Sequence, residues 1–248
     1  MTSTTSVSAW NEPAGVAPRG TVLLLPGRGE QPGLYRRFGA RIAADGYRVR
    51  VLPDPSADLD EATARLKAAL TDAETVAPRV LAGVDTGALA ALRVAASSPA
   101  PIDALILVGL PDPDQHADEW LESWEDEVEY RASCPTHRGL IADETLVERG
   151  ALRSDRIPRE LREPLDLAGL TDLPVLGLHG DDDVISPFEG VRAHYAALPE
   201  AQVVLVGHGR HDVLNSASHR SVAARVVQFL ESLRAEVDAP PILLEVKP

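Results

Sequence analysis

Four short stretches of the chain hold residue types that could do chemistry together. The first is Val80-Leu81-Ala82-Gly83-Val84-Asp85-Thr86-Gly87-Ala88-Leu89, where glycines flank Asp85 two positions away on either side. Small residues at those positions suit a sharp strand-to-helix turn that lifts the central side chain above a sheet. An Asp that merely caps the following helix would also fit, because a carboxylate is favourable at a helix N-terminus. The second is Leu23-Leu24-Leu25-Pro26-Gly27-Arg28-Gly29-Glu30, an apolar strand running into a Gly-rich turn. Such a turn exposes backbone N–H groups, so the Arg28 and Thr86 N–H groups are the candidate oxyanion donors; an ordinary connecting turn is the alternative.

The third stretch, His179-Gly180-Asp181-Asp182-Asp183 with Pro187 beyond it, places acids just after a strand. The fourth, Gly207-His208-Gly209-Arg210-His211-Asp212-Val213-Leu214-Asn215, places histidines after the last one. Taken singly, each reads as a solvated turn or a loop histidine. Taken together, the chain order nucleophile, acid, histidine is that of an α/β-hydrolase.

From about Gly20 to Leu233 the sequence resembles the α/β-hydrolase superfamily, and its loops look most like the monoacylglycerol lipase and lysophospholipase branch. In that branch the early turn reads H-G-x-G-E; here Pro26-Gly27-Arg28-Gly29-Glu30 lacks only the leading histidine. The branch's acid motif, H-G-x-x-D-x-x-x-P, matches His179, Gly180, Asp183 and Pro187 and so selects Asp183. Its histidine, followed closely by Leu-Asn, falls on His211. At the elbow the resemblance divides, because the lipase branch has serine there. Aspartate in the place of Asp85 is the pattern of haloalkane dehalogenases and epoxide hydrolases.

A carboxylate is ionised without help, but its attack on an ester would give a mixed anhydride. It is better matched to a saturated carbon bearing a leaving group or held in an epoxide ring. The resulting alkyl ester of Asp85 would be hydrolysed by water that His211 deprotonates and Asp183 orients. The leaving-group side is thinly supplied: dehalogenases carry Trp after the nucleophile, where Thr86 stands, and epoxide hydrolases use two lid tyrosines. Tyr35, Trp120, Trp124 and Tyr130 are the candidate substrate contacts, with His137 as a further acid or a satisfied loop histidine. A lyase or cyclase in which Asp85 and His211 only move protons, or a binding protein that lost hydrolysis, are the rival readings.

These residues need a scaffold that brings four strand ends together. Short β-branched runs at Thr21–Leu25, Tyr47–Leu52, Arg79–Val84, Ile102–Val108, Val175–His179 and Gln202–Val206 alternate with helical periods at Leu34–Asp45, Leu59–Val76, Gly87–Ser97, Pro187–Leu198 and His219–Arg234. That alternation predicts an α/β fold, a mostly parallel sheet with helices on both faces. The stretch 111–173 breaks the rhythm and reads as a short helical lid inserted into a core of 1–110 and 174–248. Its opening is acidic, with nine Asp or Glu from Asp112 to Glu129. Trp120, Leu121, Trp124 and Val128 are at helical spacing within it, either as packing or as a roof over a pocket.

Composition narrows the partners. In 248 residues with a formal charge of −14 there are two lysines, which speaks against nucleic acid. One cysteine, Cys134, excludes an intrachain disulfide and suits a cytoplasmic setting; no zinc-like spacing is present, and neither metal nor cofactor is expected. Met1–Ala9 has neither the basic start nor the apolar run of a signal peptide or anchor. The expected partner is a small-molecule substrate, without nucleic acid or membrane, and a homodimer stays open. The tail, Ala239–Pro248, reads as an edge strand or an apolar cover without chemistry.

Overall fold

The computed structural model describes residues 8–97, 101–112, 121–142, 145–167 and 170–235. Seven strands form one sheet: β1 Ser8–Trp10, β2 Thr21–Leu25, β3 Arg48–Val51, β4 Arg79–Val84, β5 Ala104–Val108, β6 Val175–Gly180 and β7 Ala201–Val206. Their order across the sheet is β1-β3-β2-β4-β5-β6-β7. Every neighbouring pair is parallel except β1 with β3.

The side-chain alternation of β2 sorts the core. Val22 and Leu24 enter one buried cluster with Phe38 and Ile42 of α1 (Arg36–Ala44) and Val222, Val226 and Phe229 of α8 (His219–Ser232). Leu23 and Leu25 enter the opposite cluster with Leu66 of α2 (Leu59–Thr71), Ala91 of α3 (Thr86–Ser97) and Val191 of α7 (Phe188–Ala196). A strand buried on both faces needs apolar residues at every position, which is why these strands read as continuous runs. The six sequence-based strands and five helices are all present, Thr21–Leu25 and Arg79–Val84 with unchanged ends and the others with ends displaced by at most five residues. The three-residue β1 has no counterpart among them, because a half-exposed strand of that length carries no apolar pattern.

Between β5 and β6 lie α4 Trp124–Arg131, α5 Pro135–Ile141 and α6 Arg159–Arg162. Helix α4 starts later than the aromatic spacing suggested. Ser123 caps it, accepting from the Asp126 N–H while the Asp126 carboxylate accepts from the Ser123 N–H, so Leu121 stands outside the helix. Leu121 instead packs with Leu152, Ile185 and Tyr130. Residues of this connection join both buried clusters, Trp124 and Val128 on one side and Ile157 and Leu161 on the other. Trp120, the segment 113–119 and the tail 236–248 lie outside the described residues.

Candidate active site

The turns after β2, β4, β5, β6 and β7 all open at the C-terminal edge of the sheet, where parallel α/β folds gather their functional groups. Asp85 sits between β4 and α3 with φ 51°, a left-handed backbone that a non-glycine residue rarely adopts. The flanking glycines explain how the turn fits. A Cβ on Gly83 would lie 2.1 Å from the Gly87 carbonyl oxygen, and a Cβ on Gly87 would lie 2.2 Å from that of Leu25. Strand, turn and helix therefore approach more closely than any side chain permits.

Three sequence-predicted residues come together here. His211 Nδ1 lies 2.8 Å from Asp183 Oδ2, and His211 Nε2 lies 3.2 Å from Asp85 Oδ1. The first is a directed hydrogen bond. In the second, Nε2 faces the carboxylate without a well-aligned acceptor. Asp183 is fixed in turn, its Oδ1 accepting from the backbone N–H groups of Ile185 and Ser186, both at 3.0 Å. The Ser186 hydroxyl donates to the Leu110 carbonyl at 2.8 Å. His208, by contrast, is exposed and lies 3.4 Å from Asp182, away from this row.

Arg28 contributes more than the backbone donor expected of it. Its N–H donates to Asp85 Oδ2 at 3.0 Å. Its guanidinium also grips the same carboxylate as a fork, Nε to Oδ2 at 2.7 Å and Nη2 to Oδ1 at 2.9 Å. The remaining Nη1 donates to the carbonyls of Leu152 and Arg153 at 3.0 and 2.9 Å. Asp85 is 1 % exposed and Arg28 2 %. Thr86, the other proposed donor, opens α3 fully buried, and its hydroxyl has no partner among the described residues.

Charge states follow from these neighbours. Burial pushes the Asp85 carboxyl up, but Arg28 and His211 outweigh it and hold Asp85 well below the usual carboxylate range. Burial opposes the His211 cation, yet Asp183 and Asp85 together raise it from its ordinary 6.5 to about 10. At neutral pH Asp85 is therefore a carboxylate and His211 an imidazolium.

A second buried row braces the first. Arg131 of α4 pairs with Glu30 at 2.8 Å and Glu127 at 3.0 Å, and donates to the Arg28 carbonyl at 3.0 Å. Glu127 also accepts from the N–H groups of Gly150 and Leu152. The Asp212 N–H donates to the Arg131 carbonyl at 2.7 Å, and Asp212 pairs with His137 at 2.5 Å. His137 is thus held through Nε2 against the buried Asp212 side chain. Not all acids of the acidic run are solvated: Glu127 is buried and paired with Arg131. Its signal in the sequence was the Glu127/Arg131 spacing of four, which places the two on one helix face.

The remaining proposed contacts have other neighbours. The Tyr35 hydroxyl accepts from the Gly27 N–H and donates to Glu30, bracing the turn that carries Arg28. Trp124 packs on the core with Arg149 stacked 5.4 Å from its ring, and Tyr130 packs with Leu121, Leu152 and Ile185. A cavity of about 410 Å3 lies beside α3, lined by Leu89, Leu110, Leu161 and Leu167 among others, with Arg93 and His194 also on its wall. Asp85, His211 and Asp183 do not line it. Among the described residues no group of His, Cys, Asp or Glu is arranged to hold a metal ion, and no helix is long and apolar enough to cross a membrane.

Strand order, connection pattern and the elbow at Asp85 define an α/β-hydrolase fold. Comparison with solved structures agrees. The monoacylglycerol lipase of Paleococcus ferrophilus superposes with a TM-score of 0.70 at 18 % identity, covering 92 % of this chain and 99 % of the other. A soluble variant of monoglyceride lipase from Saccharomyces cerevisiae gives 0.70 at 18 % identity over 92 % and 90 %. The enol-lactonase of Burkholderia xenovorans LB400 gives 0.67 at 17 % over 91 % and 96 %. An α/β-hydrolase family model described as TAP-like protein matches residues 147–240, a span that includes Asp183 and His211 but not Asp85. A search of curated protein sequences finds no match.

Proposed function

We propose that this chain is a hydrolase of small molecules in which Asp85 is the nucleophile, His211 the base and Asp183 the group that orients it. One observation carries the reading: the Asp85 carboxylate stands on a left-handed elbow 3.2 Å from a histidine whose other nitrogen is held by an acid. Attack by Asp85 on a saturated carbon, in a haloalkane or an epoxide, forms a C–O bond to the enzyme while the leaving group takes the electron pair.

The charge states suit that order of events. The first step needs an ionised carboxylate and no base, and Asp85 is ionised while His211 is protonated. Forming the ester removes one of the two negative charges that raise His211, which lowers its hold on the proton. His211 then passes that proton to the alkoxide of an opened epoxide, or to solvent water where a halide has left, and as a neutral imidazole takes one from the water that attacks the Asp85 carbonyl carbon. The oxygen that becomes the oxyanion already accepts from the Arg28 N–H, with Thr86 N–H as the second donor.

Residues 111–173 act in this reading as a lid, because Asp85 is closed off and the Leu152 and Arg153 carbonyls hold Arg28 over it. The cavity beside α3 offers room for an apolar portion of the substrate. The fork on Asp85 also favours a second reading, a binding protein whose carboxylate is permanently neutralised. A lyase or cyclase in which Asp85 carries a proton is less well supported, since Arg28 keeps Asp85 ionised.

The test is mass spectrometry of the His211→Gln variant after exposure to nitrophenyl esters, styrene oxide and short haloalkanes. A peptide around Asp85 heavier by the alkyl group supports the proposal. Turnover by the wild type without any adduct in the variant rejects it in favour of the lyase, and tight binding without turnover favours the binding protein.

A further inference from the structure

Alkylation of Asp85 leaves a problem that the surroundings do not solve. Arg28 is buried, and Asp85 is its only ion-pair partner among the described residues. Its Nη1 is engaged by two neutral carbonyls. Once Asp85 is an ester, the guanidinium faces no anion and is cut off from water. A buried charge that loses its partner is strongly destabilising, so the step is favourable only if a negative charge stays beside Arg28.

The departing group is that charge. The geometry points to the Arg28 guanidinium as the seat of a small anion, taken up when Asp85 loses its own charge: the halide released as the Asp85–carbon bond forms. The electron pair of the breaking bond goes to the leaving atom, and the site's net charge is unchanged because the negative charge moves from Asp85 to the anion on the same guanidinium. Arg28 thereby fills the halide-holding role that Thr86, standing where dehalogenases carry Trp, does not supply. The planar fork, with Nε and Nη2 already presented side by side, suits a carboxylate or a halide. In the resting protein Asp85 competes for the fork, so free anions bind poorly until it is discharged.

The inference rests on the covalent reading of Asp85 but has a readout that needs no catalysis. Asp85→Asn imitates the discharged state. Thermal melting of this variant is followed while iodide, bromide or formate is titrated at constant ionic strength, beside the wild type and Asp85→Asn/Arg28→Gln. The expected result is a saturable rise in Tm, roughly 3–6 °C at about ten times the half-saturating concentration, in Asp85→Asn alone. No saturable rise, or the same rise in the wild type or the double variant, overturns it. Should Asp85→Asn not fold, Asp85→Ser removes the same charge at an elbow where the lipase-like branch carries serine, and it is scored in the same way. Anion binding without any Asp85 adduct would remove the covalent reading and leave the anion seat standing; the opposite pair of results would remove the seat alone.

Discussion

Replacing Arg28 by Met removes one partner of a buried ion pair and leaves the other in place. Asp85 would keep the Arg28 N–H at 3.0 Å and the His211 ring at 3.2 Å, but lose both arms of the fork. Breaking a buried pair in this way costs about 3–5 kcal/mol. For a domain of this size each kcal/mol moves Tm by roughly 2–4 °C, so the melting point should fall by about 6–20 °C at neutral pH. The double variant Arg28→Met/Asp85→Leu leaves no buried charge unpaired there, apart from the ordinary Asp183–His211 pair, and should recover most of the loss. The pH dependence has a fixed sign. Arg28 lowers the Asp85 pKa, so the stability it contributes is present above the unfolded value near 3.8 and is lost as pH falls through the lowered folded value. The gap between wild type and Arg28→Met should therefore narrow in acid. Circular-dichroism melts from neutral pH downward read all of this. A single variant within about 0.5 kcal/mol of wild type, or a double variant no better than the single, would refute the argument that the fork neutralises a buried charge.

Other consequences can be checked directly. His211 is raised from 6.5 to about 10, so the stability it adds is complete below the unfolded value and disappears as pH climbs from there toward about 10; His211→Gln should flatten that alkaline slope in denaturant titrations. Gly87→Ala puts a methyl 2.2 Å from the Leu25 carbonyl oxygen and should destabilise by about 3 kcal/mol, measured by urea unfolding, whereas Gly139→Ala, with open space around it, should cost nothing measurable. Glu127→Gln weakens the tie between α4 and the 150–152 backbone, and hydrogen exchange at Gly150 and Leu152 should quicken at least tenfold while the exchange of β4 stays unchanged.

The fold was legible because parallel strands buried on both faces leave unbroken apolar runs, and Thr21–Leu25 and Arg79–Val84 fall where those runs predict them. The elbow was legible for a similar reason: Gly83 and Gly87 are demanded by close backbone approach, which depends on few neighbours. The charged lining was not. A guanidinium on Arg28 can point anywhere from its turn, and only tertiary placement turns it onto Asp85. A sequence signal did exist, since a carboxylate in the interior requires a cation and Arg28 stands inside the one turn expected to face it. The same holds for Glu127 and Arg131, hidden in a run of acids whose average character is solvated.

Helix α4 touches both loops that carry the row of charges. Arg131 holds the Glu30 turn through its side chain and the Asp212 N–H through its carbonyl, while the Tyr130 carbonyl accepts from the His211 N–H. A displacement of α4 would therefore loosen the turn beside Asp85 and the loop of His211 in the same movement. If ligand entry opened α4, the closed and assembled states would be one state, and only reclosure would restore the row of charges. Turnover would then be governed by how often α4 returns before the ligand leaves, so selectivity would rest on dwell time as much as on fit.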